Sequence, residues 1–289
     1  MKQIDTTAAL RSEVRRQKGK SIGLVPTMGA LHAGHTSLVE QSIRDNDITI
    51  VSIFVNPTQF NDATDLVKYP RTLDVDLRIL SAILGTDDIV FTPGADDIYR
   101  NEKIPPIDLG HLDKIMEGKH RPGHFMGVVR IINILFDLCK PDRAYFGRKD
   151  FQQLAVIKTL VKQKELDIKI IGCPIVREDN GLALSSRNER LSPAMREKAG
   201  IIYQTLKKYH EQFVPFDINT LKNNVISEIN AVEGLSVEYF EIVDNNDLMP
   251  LDSVNDISSN KSYTGCIAVY AGDVRLIDNI GFSFHFTKG

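Results

Sequence analysis

Apolar residues fill nearly every position of the run at 48–55. A strand apolar on both faces suits a parallel sheet covered by helices on its two sides. Comparable short β-rich runs lie at 21–26, 48–56, 88–92, 143–147 and 167–174. Between them apolar positions return at steps of three and four, and the stretches 35–44, 73–84, 127–139 and 151–164 read as helices. In the third, Val128, Ile131, Ile132, Leu135 and Cys139 form one helix face. Strand and helix in alternation predict an α/β fold with a doubly wound parallel sheet. After Leu191-Ser192-Pro193 the texture changes. Helical patterns at 194–213 and 218–232 follow one another, and strand-like runs at 237–243 and 266–271 come after them. That order predicts a smaller C-terminal α+β domain. The boundary falls within 175–190, and we divide the chain into 1–178 and 179–289.

Composition narrows the class. The 289 residues suit one or two domains. With 42% apolar and 25% charged residues the chain can bury a real core, which excludes collagen-like, low-complexity and disordered proteins. The balance of 35 Lys+Arg against 38 Asp+Glu gives a formal charge of −3, so bulk charge attracts neither nucleic acid nor an anionic membrane. Cys139, Cys173 and Cys266 are scattered among apolar neighbours and read as buried free thiols. The first residues are polar, without a signal-peptide apolar core, and no apolar run approaches the roughly 20 residues of a membrane span. A cytoplasmic location is expected.

Four segments could carry chemistry. The first strand run ends at Pro26 and enters Thr27-Met28-Gly29-Ala30-Leu31-His32-Ala33-Gly34-His35. Ligands of open α/β sheets gather where strands end and helices begin, and a helix start presents backbone N–H groups suited to phosphate. His32 and His35, three apart, can donate hydrogen bonds to one phosphate, although a lone pair so spaced also occurs as ordinary loop histidines. Placed at the end of the first strand, His-x-Gly-His points to the HIGH-type nucleotidyl-transfer superfamily. The second segment, Asn56-Pro57-Thr58-Gln59-Phe60, offers amides to a hydroxylated substrate, or is simply a turn. Just beyond it, Asp74 and Asp76 stand in a predicted first helical turn, where complementing the helix dipole is preferred to a metal site. In the third, Gly147-Arg148-Lys149-Asp150, Lys149 suits triphosphate charge and Asp150 suits ribose hydroxyls or a helix cap. The fourth, Leu184-Ser185-Ser186-Arg187, is either a phosphate clamp or a Ser-rich surface loop.

Taken together, these segments resemble the pantothenate synthetase (pantoate–β-alanine ligase) family. The resemblance rests on residues 26–35, 51–60, 147–153 and 184–188, joined by Tyr-Pro-Arg-Thr at 69–72, Arg-Pro-Gly-His-Phe-Met-Gly-Val-Val at 121–129 and Arg-Leu-Ile-Asp-Asn at 275–279. It implies a Rossmann-like domain with a smaller C-terminal lid, usually assembled as a homodimer. It also implies a two-step ligation of pantoate and β-alanine through pantoyl adenylate, with ATP as substrate and Mg²⁺ as its counter-ion.

Carried over by position, the resemblance makes His35, His32 and Lys149 catalytic. Met28, Gly29, Ala30, Leu31, Ala33 and Gly34 join the two histidines on ATP. Gly147, Arg148, Lys149, Asp150 and Val176 hold the nucleoside and phosphates, and Leu184, Ser185, Ser186 and Arg187 close over the triphosphate as a mobile segment. Gln59 and Gln153 bind pantoate, and Gln59 also meets β-alanine. No metal ligand is assigned. Three positions depart from the family pattern: Ala33 and Arg148 stand where Glu is usual, and Leu184 where Met or Lys is usual. Arg148 thereby reverses a charge beside the nucleotide. The rivals are a class I aminoacyl-tRNA synthetase, which would normally carry a Lys-Met-Ser-Lys-Ser type loop and an anticodon-binding region, a small adenylyltransferase, which needs no paired glutamines, and a non-catalytic nucleotide sensor.

Overall fold

The computed structural model describes residues 1–100, 107–214 and 217–286. These fall into two compact units, Met1–Arg148 with Gln152–Pro174, and Lys149–Phe151 with Ile175–Gly289. In the first, β1 (Lys2–Ile4), β2 (Ile22–Thr27), β3 (Ile48–Ile53), β4 (Ile89–Phe91), β5 (Arg143–Gly147) and β6 (Lys169–Cys173) form one parallel sheet in the order β1-β4-β3-β2-β5-β6. The five runs read from the sequence are β2 to β6. Hydropathy does not disclose β1, which has three residues, lies at the sheet edge and leaves its central Gln3 exposed.

From β2 the chain steps outward through β3 to β4, then returns to the other side of β2 for β5 and β6. The winding therefore reverses between β2 and β5, and the crevice at their carboxyl ends is where such a sheet binds ligands. Helix Ala33–Asp45 packs against β2, β3 and β5, and helix His124–Cys139 packs against β2 and helix Thr7–Arg16. The core is apolar: Val25, Val39, Val51, Leu80 and Val90 are fully buried together. Tyr145 is buried among them, and its hydroxyl accepts from Asn46 Nδ2 at 2.7 Å and donates to Asp45 at 3.0 Å.

The second unit is built on a sheet of β7 (Glu211–Val214), β8 (Leu235–Asp244), β9 (Tyr263–Ala271) and β10 (Val274–Phe286), ordered β7-β10-β9-β8. Strands β8, β9 and β10 are antiparallel, and β7 joins β10 in parallel. The helix expected over 194–213 is two helices, Pro193–Lys198 and Ile201–Tyr209, and its last residues are β7 instead. The cause is tertiary. The far end of β10 offers an unpaired edge, and Ser283 N donates to His210 O at 2.8 Å where β7 begins. Val176–Glu178 belong to this unit because they pair within it: Arg177 bridges Ala183, and Leu184 N donates to Val176 O at 3.0 Å. Among the described residues no helix is long and apolar enough to cross a membrane.

Candidate active site

The loop leaving β2 takes an unusual path. Gly29 and Ala30 both adopt left-handed backbone, with φ of +82° and +51°. For a residue with a Cβ this conformation costs about 1–2 kcal/mol and needs outside support. Asp76 provides it. Its carboxylate, 1% exposed, accepts from Ala30 N at 2.9 Å and from Leu31 N at 2.8 Å, with Thr72 Oγ1 donating at 3.2 Å. A side chain on Gly29 would bring its Cβ within 3.0 Å of the same carboxylate. Asp74 and Asp76 do stand in the first turn of helix Leu73–Ser81, as the dipole argument expects, but Asp76 also holds the backbone of the loop after β2. A dipole role alone is too narrow an account of it.

The loop delivers two histidines to one helix end. His32 caps helix Ala33–Asp45, its Nδ1 accepting from Gly34 N at 3.1 Å, and His35 Nδ1 accepts from His32 N at 3.3 Å. Their ring centroids are 4.1 Å apart. Because both Nδ1 atoms accept, each neutral ring carries its proton on Nε2, and both Nε2 atoms are donors. Two N–H donors therefore accompany the positive end of a 13-residue helix at the sheet's switch point, an arrangement suited to an anion.

Gln59 is held just as closely. Asn56, at 1% exposure, donates through Nδ2 to Gln59 Oε1 and to Gly127 O, each at 3.1 Å, and its Oδ1 accepts from Thr58 and Tyr99. Asn56 thus caps this turn, with its amide engaged by the protein. The Gln59 amide donates to Met28 Sδ at 2.8 Å, which joins the pantoate-assigned glutamine to the ATP-assigned loop. These bonds use about half of the Gln59 hydrogen-bonding capacity. From behind, His124 Nδ1 donates to Gln59 O at 2.7 Å while Arg121 Nη1 donates to His124 Nε2 at 3.1 Å. That pairing fixes His124 as the neutral Nδ1–H tautomer. Gly127 is required here: a Cβ would lie 2.2 Å from Thr58 O. The 121–129 motif is thus the back wall of the Gln59 turn, a role that sequence spacing does not reveal.

Of two adjacent glutamines, one is structural. Gln152, 4% exposed, donates to Leu112 O and Ile115 O and accepts from Glu117 N. Gln153 is half-buried and points about 100° further round the helix. Gly147 ends β5, and Arg148 N donates to Cys173 O at 2.9 Å. The Arg148 guanidinium donates to Gly172 O at 3.0 Å.

In the second unit Lys149 Nζ lies 3.3 Å from Asp150, the lysine side chain 17% exposed and the aspartate 45%. Val176 and Leu184 pair through their backbones, and Ser185 Oγ accepts from Arg187 N at the head of the turn Ser186–Arg190. Asn188 pins that turn, donating to Glu178 Oε1 at 3.0 Å and Ala183 O at 3.1 Å. Burial pushes the Glu178 carboxyl upward, but hydrogen bonds from Arg196 and Asn188 outweigh it and hold the group below its ordinary value. No cysteine nucleophile is on offer. All three thiols are buried, and burial alone pushes Cys139 up to about 12.

Comparison with known proteins agrees along the whole length. A family profile described as pantoate-beta-alanine ligase matches residues 1–281. The pantothenate synthetase of Bacteroides fragilis YCH46 is 52% identical over 284 residues, 98% of this chain and 99% of that protein. That of Porphyromonas gingivalis W83 is 45% identical over the same shares. Among solved structures, the pantothenate synthetase of Thermus thermophilus superposes with a TM-score of 0.86 at 36% identity, covering 97% of this chain and 99% of that one. The pantoate-beta-alanine ligase of Francisella tularensis, complexed with beta-gamma ATP and beta-alanine, has a TM-score of 0.79 at 36% identity, with 97% of each chain covered. With the family profile, the sequence identities and the superposition in agreement, this chain belongs to the pantoate–β-alanine ligase family.

Proposed function

We propose that the protein condenses (R)-pantoate with β-alanine to pantothenate, driven by ATP, by way of pantoyl adenylate. The observation that carries this reading is the pair of Nε2–H donors of His32 and His35 at a helix start on the switch point, in a chain of this family. The pantoate carboxylate attacks the α-phosphorus of ATP and pyrophosphate leaves. The β-alanine amine then attacks the activated carbonyl and AMP leaves. A carboxylate is a poor acyl donor because oxide is a poor leaving group, whereas AMP is a good one. The protein must orient anions and absorb developing charge, and needs no covalent nucleophile.

In this reading His35 and His32 donate to phosphate oxygens and Lys149 neutralises charge there. Met28 to Gly34, Gly147 to Asp150 and Val176 hold the nucleotide, and Leu184, Ser185, Ser186 and Arg187 close on the triphosphate. Gln59 and Gln153 take the pantoate hydroxyl and carboxylate groups, and Gln59 meets β-alanine. Asp150 is the one carboxylate among the residues assigned to the nucleotide, a donor set that suits Mg²⁺ carried in by the triphosphate. When bound, Mg²⁺ would neutralise phosphate charge, keeping one or two protein ligands at most. A cytoplasmic homodimer with small-molecule partners, and neither nucleic acid nor membrane, completes the proposal.

The test is pyrophosphate release from ATP. Pantoate alone should support one stoichiometric burst, and β-alanine should convert it to turnover with one AMP and one pantothenate per ATP. Formation of ADP, or pyrophosphate release indifferent to pantoate, would overturn the assignment. Gln153→Ala should raise the pantoate KM about 5- to 150-fold while ATP affinity holds, the range for a stranded polar contact of roughly 1–3 kcal/mol. Loss of ATP affinity with pantoate affinity intact would place this glutamine on the other ligand.

A further inference from the structure

The motif at 275–279 takes no part in the roles assigned above, yet it lies at a junction of the second unit. On β10 the Asp278 carboxylate, 5% exposed as a residue, receives Arg177 Nη1 at 2.6 Å and Arg177 Nη2 at 2.9 Å. Arg177 also donates to Gly181 O and Asn279 O, and stacks 3.6 Å over the Tyr203 ring. Such a planar fork fixes orientation as well as charge. The next residue, Asn279, is 7% exposed, and its Nδ2 donates to the backbone carbonyl of Lys149 at 2.9 Å. Burial pushes the Asp278 carboxyl upward, with Arg177 opposing it and the Lys149 charge among the groups it feels.

Two pieces of chain assigned to the triphosphate therefore share one anchor. Lys149 hangs from Asn279. The segment leading to Leu184 hangs from Arg177, which bridges Ala183 and is gripped by Asp278. We propose that Asn279 is a positioning residue for Lys149: its amide sets the backbone from which the lysine reaches phosphate, and with Asp278 and Arg177 it makes Lys149 and the 184–187 segment one rigid frame. This rests on the reading of Lys149 as a phosphate-binding group. A lysine side chain has four rotatable carbons, so without a fixed root its ammonium spreads over many placements, and its transition-state contact weakens more than its ground-state one.

The experiment is a double-mutant cycle on single-turnover pantoyl-adenylate formation, with thermal melting as a fold check. Lys149→Ala should slow the step by roughly 10²-fold or more. Asn279→Leu, close in size but without a donor, should slow it roughly 10- to 50-fold with little change in the ATP concentration for half-maximal rate, and should cost less than a further 2-fold in the Lys149→Ala background. Asn279→Gln, which keeps an N–H donor on a longer arm, should recover part of the loss. If Asn279→Leu does not fold, Asn279→Ser is read in the same cycle. A normal rate in Lys149→Ala would remove the underlying reading of the lysine. An impaired Lys149→Ala beside a normal Asn279 variant, or one whose cost is equal in both backgrounds, would make Asn279 a strand residue only and overturn the inference.

Discussion

His35→Ala should lower the rate of pantoyl-adenylate formation by roughly 10²–10³-fold, the scale for losing one preorganised donor to developing charge. The fold should survive, because the core contacts of helix Ala33–Asp45 come from Leu38 and Val39 rather than from the ring. One structural cost is expected. The His35 Nδ1 that accepts from His32 N would be gone, loosening the first turn by about 1 kcal/mol. That cost acts on stability, whereas loss of the Nε2 donor acts on rate, so the two are separable. Single-turnover kinetics at saturating ATP and pantoate give the rate, and denaturant unfolding gives the stability. His35→Asn, which retains an amide near the Nδ1 position, should restore the cap without restoring the rate. Near-normal adenylate formation in a folded His35→Ala would remove the histidine from the chemistry.

Asp76→Ala should be the most damaging change outside the residues assigned to ligands. It strands the Ala30 and Leu31 N–H groups and releases a backbone step held at φ +51°. Hydrogen bonds to a charged acceptor contribute about 1.5–3 kcal/mol each, and water entering the space recovers part of that. We expect a net destabilisation of about 3 kcal/mol, together with a roughly 10²-fold slower adenylation in the population that remains folded. The rate falls because the Met28 to His35 loop no longer has one shape. Asp76→Asn keeps one acceptor but turns an N–H toward a backbone N–H, and should lie between wild type and Asp76→Ala in both measurements. Urea unfolding and rates collected well below the midpoint separate the two effects. Wild-type stability and rate in both variants would reduce Asp76 to an ordinary helix-end carboxylate.

Residues assigned to ligand come largely in short contiguous motifs, and those motifs are legible along the chain. His32 and His35 are three apart, and their capping geometry needs only the helix that follows. Residues that hold them in place are not legible. Asp76 reaches back 46 positions to Ala30, His124 reaches 65 to Gln59, and Asn279 reaches 130 to Lys149. No local periodicity records such a partnership. Asp76 in particular has a sufficient local explanation in its helix position, which conceals its second role. Gln152 and Gln153 illustrate the same limit. They are neighbours of one residue type, and only the carbonyls of Leu112 and Ile115 distinguish the buried glutamine from the one assigned to substrate.

By itself the sequence determined the alternation of strand and helix from β2 to β6, the change of texture after residue 191, and the loops at which chemistry could sit. Those are properties of hydrophobic period and of short contiguous motifs, and they survive without knowledge of neighbours. Tertiary structure alone decided β1 and β7, which exist because β4 and the end of β10 offer unpaired edges to short segments of weak intrinsic preference. It also decided the reversal of winding between β2 and β5, and the buried partners that give the loop after β2 and Gln59 one shape. A buried carboxylate, amide or imidazole must find hydrogen-bond partners wherever folding brings them, and that requirement is met in space rather than along the chain.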